Sequence, residues 1–320
     1  MADPADASES SGSAESTAPT APAPASFRDG VDTLRADGWR RPLVEATLDR
    51  LVRDNRFTIA VVFPLFGAVL LIASNEGLLP SPLSYNAALI LFGTAVMRLP
   101  LVVGLLPVSK RRVGAAVVAL AAYAYGIELV GVTTDWPYGA FQYGIDLGPM
   151  VAGKVPVGLP VFFLPLVLNA YLLSLLLLGG RARNPLLRLG TALAAVVAID
   201  LVLDPAAVAI GFWEYLPADA GFPYYDVPVS NYLGWVLSGT VAVAVFDLAV
   251  DRTALVERLD SCEFVLDDMV SFVLLWGGIN AVYLQVVPAV VAVGLALGLV
   301  WTDRFDFAVL GGRIGRVAGD

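Results

Sequence analysis

The chain has 320 residues, 58% of them hydrophobic and 15% charged, with a mean hydropathy of +0.74; this excludes an ordinary water-soluble domain and matches a polytopic membrane protein. The net charge of −9 excludes the basic face that nucleic acid needs, and with lysine confined to Lys110 and Lys154 the acidic, lysine-poor balance fits a salt-loving source. The absence of histidine and the single Cys262 exclude a histidine triad, an imidazole metal site, a cysteine cluster and an intrachain disulfide.

In chain order, residues 1–26 are Ala, Pro, Ser, Thr and acidic residues, too poor in apolar surface to fold, and are predicted to be a disordered tail. Residues 27–56 set Leu34, Leu43, Val44, Leu48 and Leu51 among charges, the pattern of an amphipathic juxtamembrane helix. From residue 57 to 303 the hydropathy is blocky, and a crossing takes about 20 apolar residues. The predicted spans are 57–79, 85–107, 113–133, 157–178, 189–211 and 232–250, with two more in the apolar region 264–301, broken at Gly277, Gly278 or Pro288. The fold class is therefore all-α, a polytopic transmembrane helical bundle of eight spans, or seven if the last region crosses once, followed by a tail over 304–320.

Lysine and arginine concentrate in cytoplasmic loops. Arg40, Arg41, Arg50, Arg53 and Arg56 precede the first span, Lys110, Arg111 and Arg112 follow the second, and Arg181, Arg183 and Arg188 follow the fourth. This predicts a cytoplasmic N-terminus in the cell membrane, and Arg304, Arg313 and Arg316 put the C-terminus on the same side.

Three carboxylates fall inside apolar spans: Glu128, Asp200 and Asp204. An ionisable group at membrane depth is expensive and faces a bundle interior or cavity. At about 1.5 Å per residue, Glu128 and Asp204 both lie about 22 Å from the inner ends of their spans, and Asp200 about 16 Å. Asp200 and Asp204, four residues apart, share one helical face, and Pro205 frees a backbone carbonyl beside them. The adjoining outer loops, 133–143 and 211–231, are rich in aromatics, Gly and Pro. They read either as an interfacial aromatic belt or as a lid over the carboxylates. An aromatic pocket with a few carboxylates suits an apolar substrate that passes through a cation. Glu128, Asp200 and Asp204 are the candidate catalytic residues. Asp135, Tyr138, Tyr143, Trp213, Tyr215 and Asn231 are the candidate substrate contacts, with capping of the sixth span as the alternative for Asn231. Asp247 and Asp251 read as interfacial.

The ordered motifs Ile127-Glu128-x4-Thr133, Asp135-Trp136-Pro137-Tyr138-Gly139-x-Phe141-x-Tyr143, Gly158-Leu159-Pro160, Asp200-x3-Asp204-Pro205, Gly211-x-Trp213 and Pro228-x2-Asn231-Tyr232-x-Gly234-Trp235 resemble a membrane family of carotenoid-biosynthesis proteins, the one that contains bisanhydrobacterioruberin hydratase. The likeness covers residues 57–301. It implies a lipophilic substrate, an acyclic fifty-carbon carotenoid whose terminal double bonds take up water to give the tertiary alcohols of bacterioruberin, in haloarchaea. Other enzymes of that pathway are implied as partners, beside membrane lipid.

Hydrating a trisubstituted alkene means protonating its less substituted carbon and capturing the tertiary cation with water, which calls for a proton-holding acid and no cofactor or metal. A desolvated carboxyl beside another carboxyl meets that need. One of Asp204 and Glu128 would be the acid and the other would orient water, with Trp213, Tyr138 and Tyr143 around the cation. Two other readings compete. A membrane prenyltransferase would use Asp200-x3-Asp204 and Asp247-x3-Asp251 as magnesium diphosphate motifs, although the two pairs lie toward opposite membrane faces. A proton-coupled transporter would show internal repeats, and none stands out. Neither lysine lies within a span to form a retinal Schiff base.

Overall fold

The computed structural model describes residues 41–216 and 223–305. The tail readings over 1–26 and 306–320, and residues 27–40 of the juxtamembrane segment, lie outside them. The chain divides into a small unit, Met1–Thr47, and a large one, Leu48–Asp320. Helix α1, Arg41–Asp54, contains the junction; within its first part Arg41 pairs with Glu45 at 2.6 Å.

The large unit is a helical bundle. After α1 a π-helical turn, Thr58–Val62, leads into α2, Phe63–Asn75, followed by α3, Ala87–Leu105, and α4, Arg111–Thr134. Next come α5, Leu159–Leu178; α6, Pro185–Ala209; α7, Val229–Ala249; α8, Arg252–Ser261; α9, Asp267–Val282; and α10, Val286–Trp301. Helix starts follow local chemistry. Asn86 caps α3 by accepting from Leu89 N at 3.0 Å. Asn184 caps α6 from Leu186 N and Leu187 N, with Pro185 in the first turn, where its missing N–H costs nothing.

Among the described residues, six segments are long and apolar enough to cross a membrane: Thr58–Asn75, Ala87–Val108, Arg111–Thr134, Leu159–Arg183, Pro185–Ala209 and Val229–Ala249. They match the first six predicted spans. The last apolar region does break in two, but neither at the glycines nor at the proline. Gly277 and Gly278 lie within α9, and Pro288 falls in the first turn of α10, a position that tolerates proline. The break is at Tyr283-Leu284-Gln285, with Leu284 in the left-handed region at φ 56°. Both helices have 16 residues, about 24 Å each.

The core is centred on α6 and α9. α6 packs against α5, α7, α9 and α10 and buries Ala192, Val196, Ile199, Val202, Ala206 and Ala207. α9 packs against α2, α3, α5, α6 and α10 and is buried along nearly its whole length. Outward faces carry Phe66, Val69, Phe92, Val118, Leu233 and Leu297, all exposed, as lipid-facing positions do. In such a bundle, close approach of small residues substitutes for a hydrophobic drive. At Gly104 of α3 an added Cβ would lie 2.7 Å from the Val265 side chain.

Arginine–carboxylate pairs tie this core together. Arg188 of α6 grips Asp247 of α7 with Nε at 2.7 Å and Nη2 at 2.8 Å, and the Tyr171 hydroxyl of α5 donates to the same carboxylate. Arg56 makes the same two-pronged contact with Asp267 at 2.8 and 2.9 Å. Arg98, inside α3, meets Asp268 at 2.5 Å, whose other oxygen accepts from Asn169. Asp247, in the last turn of α7, is 7% exposed and bidentately paired. Asp251 caps α8 through Ala254 N and pairs with the exposed Lys110.

Candidate active site

Two loops on one side of the bundle, those following α4 and α6, meet in a short antiparallel ladder. Strand β1, Phe141–Tyr143, pairs with β4, Trp213–Tyr215, in the register Phe141↔Tyr215, Gln142↔Glu214, Tyr143↔Trp213. Between them β2, Met150–Val151, and β3, Val155–Pro156, form a second small hairpin. The hairpin is fastened to α4 where the Tyr125 hydroxyl donates to Val157 O at 2.5 Å.

Under the ladder lies a cavity of about 150 Å3. Glu128, Asp204, Tyr138, Tyr143, Trp213, Tyr215 and Asn231 line it. The loops therefore act as the expected lid, and two of the three candidate catalytic residues face one chamber. The Tyr143 hydroxyl donates to Glu128 Oε1, and the Tyr215 hydroxyl to Asp204 Oδ2 at 3.0 Å. Burial first, and then the carboxyl beside each, push both tyrosines well above their ordinary range, so both stay neutral donors.

Asn231 does not cap its helix; Pro228 holds that position. Its side-chain amide donates to Asp204 Oδ2 and, at 3.2 Å, to Asp200 Oδ2. Asp200 is fully buried, one helical turn before Asp204 on α6, and not on the cavity wall. Its Oδ1 has no hydrogen-bond partner among the described residues. Among the described residues, no arginine or lysine nitrogen lies within 4.0 Å of Glu128, Asp200 or Asp204, and their hydrogen-bond donors are all neutral.

Tyr138 stands between α4 and α7. Its ring fills the space over Gly131 and Gly234, where an added Cβ would collide with it. Its hydroxyl meets Ser238 Oγ at 2.7 Å. Trp213 presents a buried indole N–H without a hydrogen-bond partner among the described residues. Asp135 is not brought to the cavity. It is exposed and ends α4 as a left-handed cap at φ 61°, with its N–H on Gly131 O, a conformation that aspartate tolerates.

Sequence reasoning missed Arg98 and Thr94, which also line the chamber. The available signal was an arginine within an apolar span, which demands a buried partner. It also missed Phe163, Trp235 and Trp276 as wall residues, because isolated aromatics in spans look like ordinary core. Asp247 and Asp251 do not line the chamber, so the two aspartate pairs share no common site. Among the described residues, no group of three or more acidic or cysteine side chains is arranged to hold a metal ion.

Residues 85–300 match the family described as carotenoid biosynthesis protein. The chain is 61% identical over 284 residues to a protein of Haloarcula japonica named bisanhydrobacterioruberin hydratase, an overlap covering 87% of this chain and 95% of that one. No solved structure matches.

Proposed function

The chain belongs to the carotenoid biosynthesis protein family, and we propose from that premise that it is a hydratase adding water to the terminal C=C bonds of an acyclic fifty-carbon carotenoid, taking bisanhydrobacterioruberin to bacterioruberin. The observation that carries the reading is one largely apolar, aromatic-walled chamber in which the hydrogen bonds to Glu128 and Asp204 come from neutral donors. The name of the Haloarcula japonica relative supports the substrate. The chamber holds the tip of a polyene, and the rest of the chain lies outside it.

In the proposed cycle Glu128, held by the single Tyr143 hydroxyl, gives its proton to the less substituted alkene carbon. The π pair forms the new C–H bond and leaves a tertiary cation. The aromatic faces around it attract positive charge, an interaction worth about 2 kcal/mol or more when desolvated. Water held at Asp204 adds to the cation, and its excess proton passes to the Asp204–Asp200 pair. Transfer of that proton back to Glu128 resets the site. Tyr215 and Asn231 keep Asp204 in place, and Tyr138 shapes the wall. No cofactor or metal takes part in this scheme.

The same reading puts the 57–303 domain in the cell membrane with eight crossings and the N-terminus inside, the two 16-residue helices completing the count, after a tail over 1–26 and an amphipathic segment over 27–56. The test is expression in cells that accumulate the anhydro carotenoid, followed by mass spectrometry. Gain of one water per hydrated end is expected. No gain with any acyclic carotenoid would sink the hydratase reading, and unchanged product with Asp204→Asn and Glu128→Gln would sink the site.

A further inference from the structure

Strand β4 is only as well placed as the helix end that launches it. α6 closes at its cap Ile210 with a left-handed turn. Gly211 sits at φ 68°, its N–H donates to Val208 O at 3.0 Å, and the Phe212 N–H donates to Ala207 O at 2.8 Å. That pair of bonds satisfies two of the carbonyls that a helix end leaves open, in a conformation that suits glycine. The next two carbonyls are met from outside the helix. Asn75, the last residue of α2, donates through Nδ2 to Ala209 O at 3.4 Å, and the Tyr85 hydroxyl donates to Ile210 O at 2.5 Å. The same hydroxyl lies 3.2 Å from Asn75 Oδ1, so the two side chains brace each other.

Tyr85 stands just ahead of α3 at φ 47°, a region that a bulky side chain occupies only where its surroundings hold it, and such positions cluster at functional sites. Its N–H donates to Ser74 Oγ at 3.3 Å, and its ring meets Phe212 edge-on with centroids 6.2 Å apart. Phe212 in turn meets Trp276 edge-on at 6.0 Å, and both of these line the chamber. Asn75 and Tyr85 do not line it. From Phe212 the chain runs directly into β4, where Trp213 lines the chamber and the Tyr215 hydroxyl donates to Asp204. The direction of β4 is therefore set where α6 ends, by side chains that lie off the chamber.

We propose that Tyr85 and Asn75 are positioning residues for the hydration step. By holding Ile210 O and Ala209 O they fix the direction in which β4 leaves α6. Through β4 they seat the Tyr215 hydroxyl on Asp204 and the Trp213 ring on the chamber wall. Neither residue touches the polyene or the water. The role rests on the hydratase reading for the reaction that it serves, whereas the placement of β4 against β1 is a matter of geometry and is measurable apart from that reaction.

The test uses the full chain in detergent and two readouts. For the first, Gln142→Cys with Glu214→Cys sets two exposed cysteines opposite each other on the ladder, within reach of a disulfide, while Cys262 is buried. Under a mild oxidant that crosslink should form about three- to tenfold more slowly once Tyr85→Phe or Asn75→Leu is added. Phenylalanine keeps the ring against Phe212 and leucine keeps the volume of Asn75, so both variants retain the packing. The second readout is hydration of bisanhydrobacterioruberin. Tyr85→Phe should lower kcat about tenfold with KM within about twofold of the parent. Because the effect runs through Tyr215, Tyr85→Phe should add less than about twofold to the loss caused by Tyr215→Phe. Tyr283→Phe removes a hydroxyl from the same rim, where it donates to Glu76 Oε1 at 2.8 Å, without touching α6, and should match the parent in both readouts. Unchanged crosslinking in both variants overturns the proposal. So do losses that multiply with Tyr215→Phe, a raised KM with kcat intact, or a loss in Tyr283→Phe as large as that in Tyr85→Phe. No gain of water by the parent would sink the hydratase reading, and slower crosslinking would then leave the placement of β4 by Tyr85 and Asn75 standing.

Discussion

Asp247 and Asp268 each meet an arginine at 2.5 to 2.8 Å, whereas among the described residues Glu128, Asp200 and Asp204 accept only from tyrosine and asparagine. Asp200 and Asp204 are as buried as Asp247 and Asp268 and Glu128 is half-buried, so burial alone does not separate the two groups. The partner does. A carboxylate clamped by a guanidinium has no use for a proton, and its loss of partner leaves an uncompensated charge. A carboxyl among neutral donors can hold a proton or release it, which is what acid catalysis asks of it. Within one bundle, the identity of the donor thus sorts carboxyl groups into fasteners and reagents.

Substitutions that preserve shape test that sorting. The largest effect is expected from Glu128→Gln and Asp204→Asn, each lowering product formation by about 10²- to 10⁴-fold while thermal unfolding in detergent stays close to that of the parent. A large drop in stability with unchanged activity per folded molecule would reverse the assignment. Next comes Arg188→Met, which leaves Asp247 to the Tyr171 hydroxyl and the half-exposed Arg252 at 3.6 Å and should cost about 3 kcal/mol of stability with hydration by the surviving folded protein retained. The double change Arg188→Met with Asp247→Leu should recover most of that loss, since a buried pair is often replaceable by apolar side chains. Tyr143→Phe should be milder, about 1–3 kcal/mol for an acceptor left without its donor, read as slower hydration with little change in melting. The smallest effect belongs to Asp135→Asn, which keeps a residue suited to the left-handed cap. It should leave carotenoid binding unchanged, and a clear loss of binding would return Asp135 to the site.

The convergence of Glu128 and Asp204 was legible because basic loops set the direction of each span and a constant rise per residue set the depth. The lid was legible in composition, through Trp136, Tyr138, Phe141, Tyr143, Trp213 and Tyr215. The partner of each carboxylate was not. Helical periodicity says which face a residue occupies but not which of several neighbouring helices that face meets, so the pairing of Arg98 with Asp268, 170 positions apart, had no local trace. Gly277, Gly278 and Pro288 misdirected the reading of the last region, because glycine is tolerated in membrane helices and proline in a first turn. The actual break uses Leu284, with Asn280 donating to Val202 O and Gln285 to Pro205 O, contacts with α6 that only tertiary packing creates.

The ladder between the two loops has a practical meaning for anyone building chimeras of such chains. Tyr143 and Tyr215 come from strands that pair with each other, yet they serve carboxyl groups on different helices. Strand side chains alternate between faces, so deleting one residue from either loop slips the register and turns a tyrosine away from its carboxyl. The two loops are therefore one exchangeable cassette: a graft that moves 135–143 without 211–216 would bring in a mismatched half of a single part.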